Sequence, residues 1–182
     1  SFADVPAVVS RRVDNTELRL VAALRYRPFR KVIAISEAIA RELRARGVEE
    51  ERLAIIRSAV DVGRFEQSGD CARFRSEYDV PDNALVIAAA GQLIPRKGHR
   101  YLLEAAAELR PDHEEFRVLV FGEGYLHNQL HAQAESLCIA DVVTLAGFSE
   151  DLDYYVSCFD IFVHPALAEG LGVAALKAAA AG

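Results

Sequence analysis

Short apolar runs and helical patterns alternate regularly from residue 85 to the last residue of this chain. The apolar runs have the length of buried strands, and each is followed by a segment whose apolar residues have helical spacing. The predicted strands are Leu85–Ala90, Phe116–Phe121, Val142–Leu145 and Asp160–Val163. The predicted helices are Gly98–Leu109, Tyr125–Leu137, Glu150–Cys158 and Leu171–Ala181. Repeated strand–helix units of this kind predict an α/β fold, a Rossmann-like doubly wound parallel sheet with helices on both faces.

The first third of the chain has a similar but shorter pattern. An apolar run at Val32–Ile35 predicts a strand covered on both faces, and a predicted helix over 37–46 follows it. Ser36 is placed to cap that helix and Gly47 to end it. A second strand is predicted at Leu53–Ile56. We expect a boundary at 60–65, which divides the chain into a domain end at 1–65 and a sheet domain at 66–182.

Composition excludes some classes of function. The 182 residues are 52% hydrophobic, which is enough for a packed core, and the net charge of −6 argues against general nucleic-acid binding. The chain contains no methionine, even at position 1, so we expect an excised piece of a longer protein. No apolar run approaches the length of a membrane span.

The three cysteines are widely spaced. Cys71, Cys138 and Cys158 form no C-x-x-C pair, so no structural zinc site is predicted. An odd number of scattered cysteines is more typical of free thiols in a reducing cytosol than of a disulfide framework. We therefore expect reduced cysteines and a cytoplasmic location.

Candidate ligand-binding residues follow the predicted strands. Parallel sheets bind ligands beyond the carboxyl ends of their strands. The first such end is the segment 91–98, GQLIPRKG, in which Gly91 and Gln92 lead to Arg96 and Lys97 before a helix begins. Two cations beside a helix N-terminus suit a diphosphate, although a basic surface loop would have the same composition.

The next two strand ends carry weaker signals. Gly122 and Gly124 form a lone G-x-G, which is more typical of a turn than of a dinucleotide site because His127 stands where a third glycine would be. Phe148 follows the third strand, where it could line a base pocket or pack within its loop. Its type alone does not decide between these alternatives.

The last strand end combines one carboxylate with a glycine-rich helix entrance. Glu169 precedes Gly170, Leu171, Gly172 and Val173 in the sequence EGLGV. Backbone N–H groups at a helix N-terminus suit a phosphate, whereas a carboxylate accepts hydrogen bonds from sugar hydroxyls. A site that takes both an anion and a polyol points to a nucleotide sugar.

In this order and at these intervals, the motifs resemble the retaining glycosyltransferases of family 4, which have the GT-B fold. The similarity extends to the N-terminal part, where KVIAISE at 31–37 and SAVD at 58–61 are similar to the passage between the two domains of that family. The resemblance therefore covers nearly the whole chain. It implies that 1–65 is the end of the acceptor-side domain and that 66–182 is a truncated nucleotide-sugar-binding domain.

The resemblance assigns roles to particular residues. It implies that Lys97 holds the donor diphosphate, that Glu169 contacts the transferred sugar and that the 170–173 backbone lies at the phosphates. Gln92 stands where the family usually has Arg, and Arg96 is a candidate to replace that charge. Lys177 stands where the family usually has the Glu that holds the ribose. Because an ammonium cannot accept a hydrogen bond, ordinary ribose binding is not expected from Lys177.

The implied reaction is transfer of a sugar from a nucleoside diphosphate donor to an acceptor hydroxyl, with retention at the anomeric carbon. No metal and no separate cofactor are expected, because Lys97 and the helix entrance can offset the charge of the leaving diphosphate. The expected acceptor is a glycan or lipid-linked saccharide, with peripheral membrane contact through the absent part of the first domain. Without that part, we expect the chain itself to be inactive.

Two other classes stay open. G-x-G-x-x-A at 170–175 formally fits a short dinucleotide fingerprint, which would indicate an NAD(P)-dependent oxidoreductase domain. Lys177 would also fit a degenerate transferase that is retained for binding.

Among the histidines, His127 and His131 are expected to be a surface pair, and capping or solvent exposure accounts for His99 at the start of its helix.

Overall fold

The computed structural model describes residues 5–12, 18–65, 69–113 and 115–182. The chain forms two compact units, one of residues 1–59 with 168–171 and one of residues 60–167 with 172–182. The domain assignment made from the sequence stays a prediction.

The first unit contains a small parallel sheet. Its strands are β1 (Val8–Arg11), β2 (Lys31–Ala34) and β3 (Leu53–Ile55), in the order β1-β2-β3. Its helices are α1 (Arg19–Tyr26) and α2 (Glu37–Ala45). The core contains Val32 and Ala34 of the central strand, and Leu171 packs against it. The central strand is apolar because parallel strands are covered on both faces.

Helix α2 has the predicted capping residues at both ends. The Ser36 hydroxyl oxygen accepts a hydrogen bond from the N–H of Ile39 at 3.3 Å, which satisfies one of the free donors of the first turn. At the other end, Gly47 has φ of 90°. The N–H of Gly47 donates to Arg44 and that of Val48 donates to Leu43, the bonding pattern of a Schellman motif.

The second unit contains the larger parallel sheet that the alternating pattern predicts. Its strands are β4 (Leu85–Ala90), β5 (Phe116–Phe121), β6 (Val143–Gly147) and β7 (Ile161–Phe162). Its helices are α3 (Cys71–Glu77), α4 (His99–Leu109), α5 (His127–Ser136), α6 (Leu152–Tyr155) and α7 (Val173–Ala181). The strand order is β6-β5-β4-β7, so the α/β prediction is confirmed. Strand order reverses between β4 and β7, which is a topological switch point.

Both faces of this sheet are buried, each in its own core. On β5, Val118 and Val120 belong to the core that also contains residues of α4 and α5. Leu119 and Phe121 belong to the opposite core, with Phe74 of α3. Since successive side chains of a strand point to opposite faces, one apolar run supplies both cores.

One helix differs from its prediction. The segment predicted as a single helix over 150–158 is the short α6 followed by a 3-10 helix at Val156–Cys158. Tyr155, Val156 and Cys158 are all buried there. Three buried side chains within four residues do not fit one apolar stripe of an α-helix, and the tighter turn accommodates them.

The expectation of reduced cysteines was wrong for two of the three. Cys71 and Cys158 form a disulfide with a Cα–Cα distance of 5.2 Å, while Cys138 is an exposed free thiol. The bonded pair is 87 residues apart in sequence. The fold brings them together because α3 and the 3-10 helix lie on the same face of the sheet. In the part of the chain that the structure describes, no helix is long and apolar enough to cross a membrane.

Candidate functional site

Two loops leave the sheet of the second unit at its switch point. The loop after β4 leads into α4, and the loop after β7 leads toward α7. The N–H of Leu167 in the second loop donates to the carbonyl oxygen of Arg96 in the first, at 2.9 Å. This backbone bond joins the loops directly. It lies at the edge of the sheet where parallel α/β folds bind their ligands.

Gly98 lets the two loops approach each other closely. Its φ is 70°, and a Cβ added there would lie 2.1 Å from the carbonyl oxygen of Pro165. No side chain fits that gap, and residues other than glycine rarely adopt this φ. The glycine at the entrance of α4 therefore has a packing role as well as a turn role.

Lys97 lies over the first glycine of its own loop. A Cβ added at Gly91 would lie 3.4 Å from Cδ and 3.6 Å from Cε of Lys97. The lysine stem thus runs along the backbone that leaves β4. Lys97 and Arg96 are both partly buried and Gln92 is exposed, so the loop presents two cations at the switch point.

Two histidines accompany Lys97, and we call these three residues the Lys97 cluster. Nε2 of His164 lies 3.0 Å from the position of a Cβ added at Gly172, the residue before α7. Nε2 of His99 lies 3.7 Å from the position of a Cβ added at Gly91. The cluster therefore connects the backbone after β4 with the start of α7.

The expectation that His99 is exposed or caps its helix was wrong. His99 is 3% exposed, and its side chain makes no cap hydrogen bond. Burial lowers its pKa, the backbone of Gly91 and Gln92 opposes that shift, and the neighbouring Lys97 and His164 add to it. His99 is the first residue of α4 and follows the short 3-10 helix Pro95–Lys97 and Gly98.

The N-terminus of α7 follows a glycine. Gly172 occupies its N-cap position and brings no side chain that could cap the helix. The first N–H groups of a helix have no acceptor within it and carry partial positive charge. Backbone donors at 173–175 and the ring of His164 are therefore next to each other.

A second part of the site is a pocket of about 360 Å³ beyond the carboxyl ends of β4, β5 and β6. Its lining residues are Ala90, Gly91, Gln92, Phe121, Gly122, Glu123, Phe148, Ser149 and Leu152. Four residues predicted to bind the donor are among them. Phe148 is 71% exposed, so its ring is available to a ligand rather than packed within its loop.

Gly122 has a structural role in this pocket. A Cβ added there would lie 2.2 Å from the carbonyl oxygen of Gly91, and φ is 130°. Gly124 likewise faces the backbone of Leu93, which donates to Glu123 at 2.9 Å. The G-x-G therefore lets the β4 and β5 loops pack side by side. Direct ligand contact by these glycines stays a prediction.

The residues before α7 are divided between the two units. Glu169, Gly170 and Leu171 belong to the first unit, where a Cβ added at Gly170 would lie 2.7 Å from Cδ1 of Ile39. Gly172 and Val173 belong to the second unit. The role of Glu169 toward a sugar stays a prediction.

Lys177 makes a contact that sequence reasoning missed. Its ammonium bonds to both carboxylate oxygens of Asp153 in α6, at 2.5 and 2.8 Å. The two residues are 24 positions apart and on different elements, and Asp153 belongs to no motif. No sequence signal marks such a pair.

The other histidine pair lies outside this region. His127 and His131 are exposed on α5, where His127 contacts Asn128 and His131 faces Glu135 at 3.7 Å. Among residues 5–12, 18–65, 69–113 and 115–182, no three His, Cys, Asp or Glu side chains are grouped as metal ligands.

The family of the chain is decided by a match to a family model. Residues 71–182 match the model of the glycosyl transferases group 1. The chain belongs to this family. The resemblance to nucleotide-sugar glycosyltransferases of the GT-B class is thereby confirmed, and residues 91–98 and 164–177 lie within the matched range.

Curated relatives of this glycosyltransferase chain agree with the assignment. It is 33% identical over 165 residues to D-inositol 3-phosphate glycosyltransferase 2 of Catenulispora acidiphila, covering 84% of this chain and 38% of that protein. It is 26% identical over 178 residues to 2-deoxystreptamine glucosyltransferase of Streptomyces kanamyceticus, covering 93% of this chain and 46% of that protein. The chain thus spans less than half the length of these relatives.

Solved structures show the same fold. Anabaena HepE in complex with UDP and glucose matches with a TM-score of 0.83 at 21% identity, over 97% of this chain and 51% of that chain. WaaG, a glycosyltransferase of lipopolysaccharide biosynthesis, matches with a TM-score of 0.74 at 22% identity, over 83% of this chain and 42% of that chain. At these identities the likeness concerns the fold alone.

Proposed function

We propose that this chain is the donor-binding half of a retaining glycosyltransferase that transfers a sugar from a nucleoside diphosphate to an acceptor hydroxyl. The base enters the pocket beside Phe148. The diphosphate lies between Lys97 and the N-terminus of α7, and Glu169 contacts the transferred sugar. This proposal adds residue roles and a reaction course to the family assignment.

The observation that carries the proposal is the joining of the two loops at the switch point. The bond from Leu167 to Arg96 and the close packing of Gly98 on Pro165 bring the Lys97 loop to the segment that leads into α7. Lys97, the ring of His164 and the N-terminus of α7 then lie at the same edge of the sheet, with His99 buried behind them. This combination is suited to a pyrophosphate.

The same groups favour departure of the nucleoside diphosphate. As the bond to the anomeric carbon breaks, negative charge grows on the bridging oxygen and the phosphate that carries it. Fixed donors directed at that charge stabilise the transition state more than the ground state. We propose that Lys97, Arg96 and the α7 backbone supply this stabilisation without a metal ion.

A uridine donor is the first to test. HepE, which shares the fold, has been crystallised with UDP and glucose and with UDP-glucose. The pocket beside Phe148 offers one exposed aromatic face for stacking a base. We propose a UDP-sugar donor on this basis, and an acceptor glycan or lipid-linked saccharide.

We propose that the chain binds the donor but does not turn it over by itself. Acceptor binding in a GT-B enzyme requires a second domain that faces the donor. Holding both reactants in register supplies much of the rate of a transfer reaction. Full activity is therefore a property of the whole protein. A cytoplasmic location stays a proposal, and the disulfide between Cys71 and Cys158 counts against the free thiols on which it was based.

The test is calorimetric titration of UDP, GDP and ADP into the chain and into Lys97→Ala. We expect at least one nucleotide to bind, and Lys97→Ala to weaken it by about tenfold to a hundredfold, as for loss of a charged hydrogen bond. Lys31→Ala is the control, because Lys31 lies in the first unit and donates to the carbonyl of Glu51. Equal binding by Lys97→Ala and wild type would contradict the proposed role of Lys97.

The family match argues against the oxidoreductase alternative. Gly170 of the G-x-G-x-x-A pattern packs on Ile39 of the first unit, which accounts for a glycine there without a dinucleotide. A titration with NAD separates the classes directly. Binding of NAD in place of a nucleoside diphosphate would favour the oxidoreductase.

A further inference from the structure

The ion pair between Lys177 and Asp153 joins one ammonium to a whole carboxylate. One ammonium reaches both oxygens of one carboxylate, at 2.5 and 2.8 Å, and the two side chains are 34% and 32% exposed. Both are therefore partly withdrawn from water. A pair that is still about one-third exposed contributes little to stability, so stability alone does not account for this contact.

The segment that carries Asp153 is held rigidly. Tyr155 is fully buried two residues later, and its hydroxyl donates to Glu77 at 2.7 Å. Asp151 pairs with Arg73 at 2.9 Å, and Cys158 is in the disulfide. A carboxylate on a segment fixed at three points has little freedom to lose when it binds a ligand.

Each residue of the ion pair is close in sequence to one part of the proposed donor site. Leu152, the residue before Asp153, lines the pocket beside Phe148. Lys177 lies one helical turn after Val173, the first residue of α7. From these neighbours we infer that the ion pair lies between the pocket and the start of α7. In a nucleotide that occupies both, this is the part between the base and the diphosphate.

The part of a nucleotide between base and diphosphate is the ribose. Its two neighbouring hydroxyls are donors, and a carboxylate with two oxygens is a matching acceptor. Lysine carries only donors, and its charge here is already directed at Asp153. We infer that Asp153 accepts hydrogen bonds from the ribose hydroxyls of the donor, and that Lys177 is a positioning residue that holds this carboxylate in place.

This inference rests on the proposed function, because it requires a nucleotide in the site. In this proposal Asp153, which lies outside the strand-end motifs, makes the donor site selective for ribonucleotides. The same proposal gives Lys177 a role other than phosphate binding. A lysine that contacts a phosphate contributes equally to the affinity for ribo- and deoxyribonucleotides. A lysine that positions Asp153 contributes only to the affinity for ribonucleotides.

The experiment compares UDP with 2′,3′-dideoxy-UDP by calorimetric titration. We expect wild type to prefer UDP by about tenfold or more, as for loss of a hydrogen bond to a charged acceptor. Asp153→Asn, which keeps the shape of the side chain, is expected to lose most of this preference by weakening UDP and leaving the dideoxy compound unchanged. Lys177→Ala is expected to reduce the preference in the same direction, and Lys177→Arg to restore it.

Controls separate ribose recognition from loss of structure. Asp141→Asn breaks an ion pair with Arg110, between the residue that follows α4 and the segment before β6, and is expected to keep the full preference. The double variant Asp153→Lys with Lys177→Glu reverses the ion pair and still contains a carboxylate. We expect it to retain part of the preference for UDP. Thermal melts check that each variant is folded.

The outcomes are distinct. If wild type binds no nucleoside diphosphate, the proposed function fails and this inference with it. If wild type binds UDP but Asp153→Asn keeps the full preference for UDP, only this inference fails. If Lys177→Ala weakens UDP and dideoxy-UDP equally, Lys177 contacts the diphosphate and the positioning role is wrong.

Discussion

The carbonyl oxygen of Pro165 faces Gly98 so closely that a Cβ there would lie 2.1 Å away. Gly98→Ala is therefore expected to combine strain from the positive φ with displacement of the β7 loop. We expect a loss of about 2–4 kcal/mol of unfolding free energy, measured by urea denaturation, and weaker nucleotide binding.

Gly147→Ala is the matched control for this substitution. Gly147 has nearly the same φ, 71°, but a Cβ added there would meet nothing within 4 Å. We expect Gly147→Ala to lower the unfolding free energy by about 1 kcal/mol, from backbone strain alone. Equal losses at positions 98 and 147 would show that the contact with Pro165 has no energetic consequence.

The disulfide between Cys71 and Cys158 is expected to stabilise the second unit. It closes a loop of 87 residues, and a cross-link of this span typically contributes about 2–4 kcal/mol by restricting the unfolded chain. Cys71→Ser should lower the melting temperature and remove its response to reductant. Cys138→Ser, which affects the exposed free thiol, should change neither.

Because His99 is buried, we expect the free energy of unfolding to depend on pH. Burial lowers its pKa in the folded chain below the ordinary value of about 6.5, so the unfolded chain binds more protons between these two values. Stability from the neutral ring is fully present above pH 6.5 and is lost as pH falls through that window. Urea denaturation at a series of pH values from 7.5 to 5 measures the slope.

His99→Leu should remove this part of the slope, because leucine fills the buried site without a titrating group. His131→Gln is the control, since His131 is exposed on α5. An unchanged slope in His99→Leu would mean that other groups cause the loss of stability in acid.

The cap of α2 provides a prediction for the first unit. Ser36→Ala removes the acceptor for the Ile39 N–H, so we expect a loss of about 1 kcal/mol of unfolding free energy. Ser36→Asp keeps an acceptor and adds a charge suited to the helix N-terminus, so it should retain most of the stability. A loss of similar size in both variants would indicate that the cap bond is not the cause.

Local sequence signals were sufficient for most elements of the fold. The bounds predicted for β4 and β5 agree with the structure at every residue, because an uninterrupted apolar run is what a strand buried on both faces requires. The cap at Ser36 and the end at Gly47 were equally local. Gly91, Lys97 and Gly172 could be assigned to one region because each follows a strand and all strands are parallel.

Contacts between distant positions could not be predicted in this way. The disulfide, the burial of His99 and the bond from Lys177 to Asp153 depend on which helices share a face of the sheet. Strand order determines that, and no spacing in the sequence encodes it. Asp153 was missed for this reason, since it has no neighbour in sequence that suggests a site.

The link between the two switch-point loops is made by main-chain atoms of Arg96 and Leu167. Side chains at both positions can therefore be exchanged without cutting it. Arg96 is kept for its proposed contact with the diphosphate, so a laboratory selection for a different sugar donor can vary position 167 without removing the main-chain bond. Libraries randomised at 167 should accordingly yield mostly folded proteins.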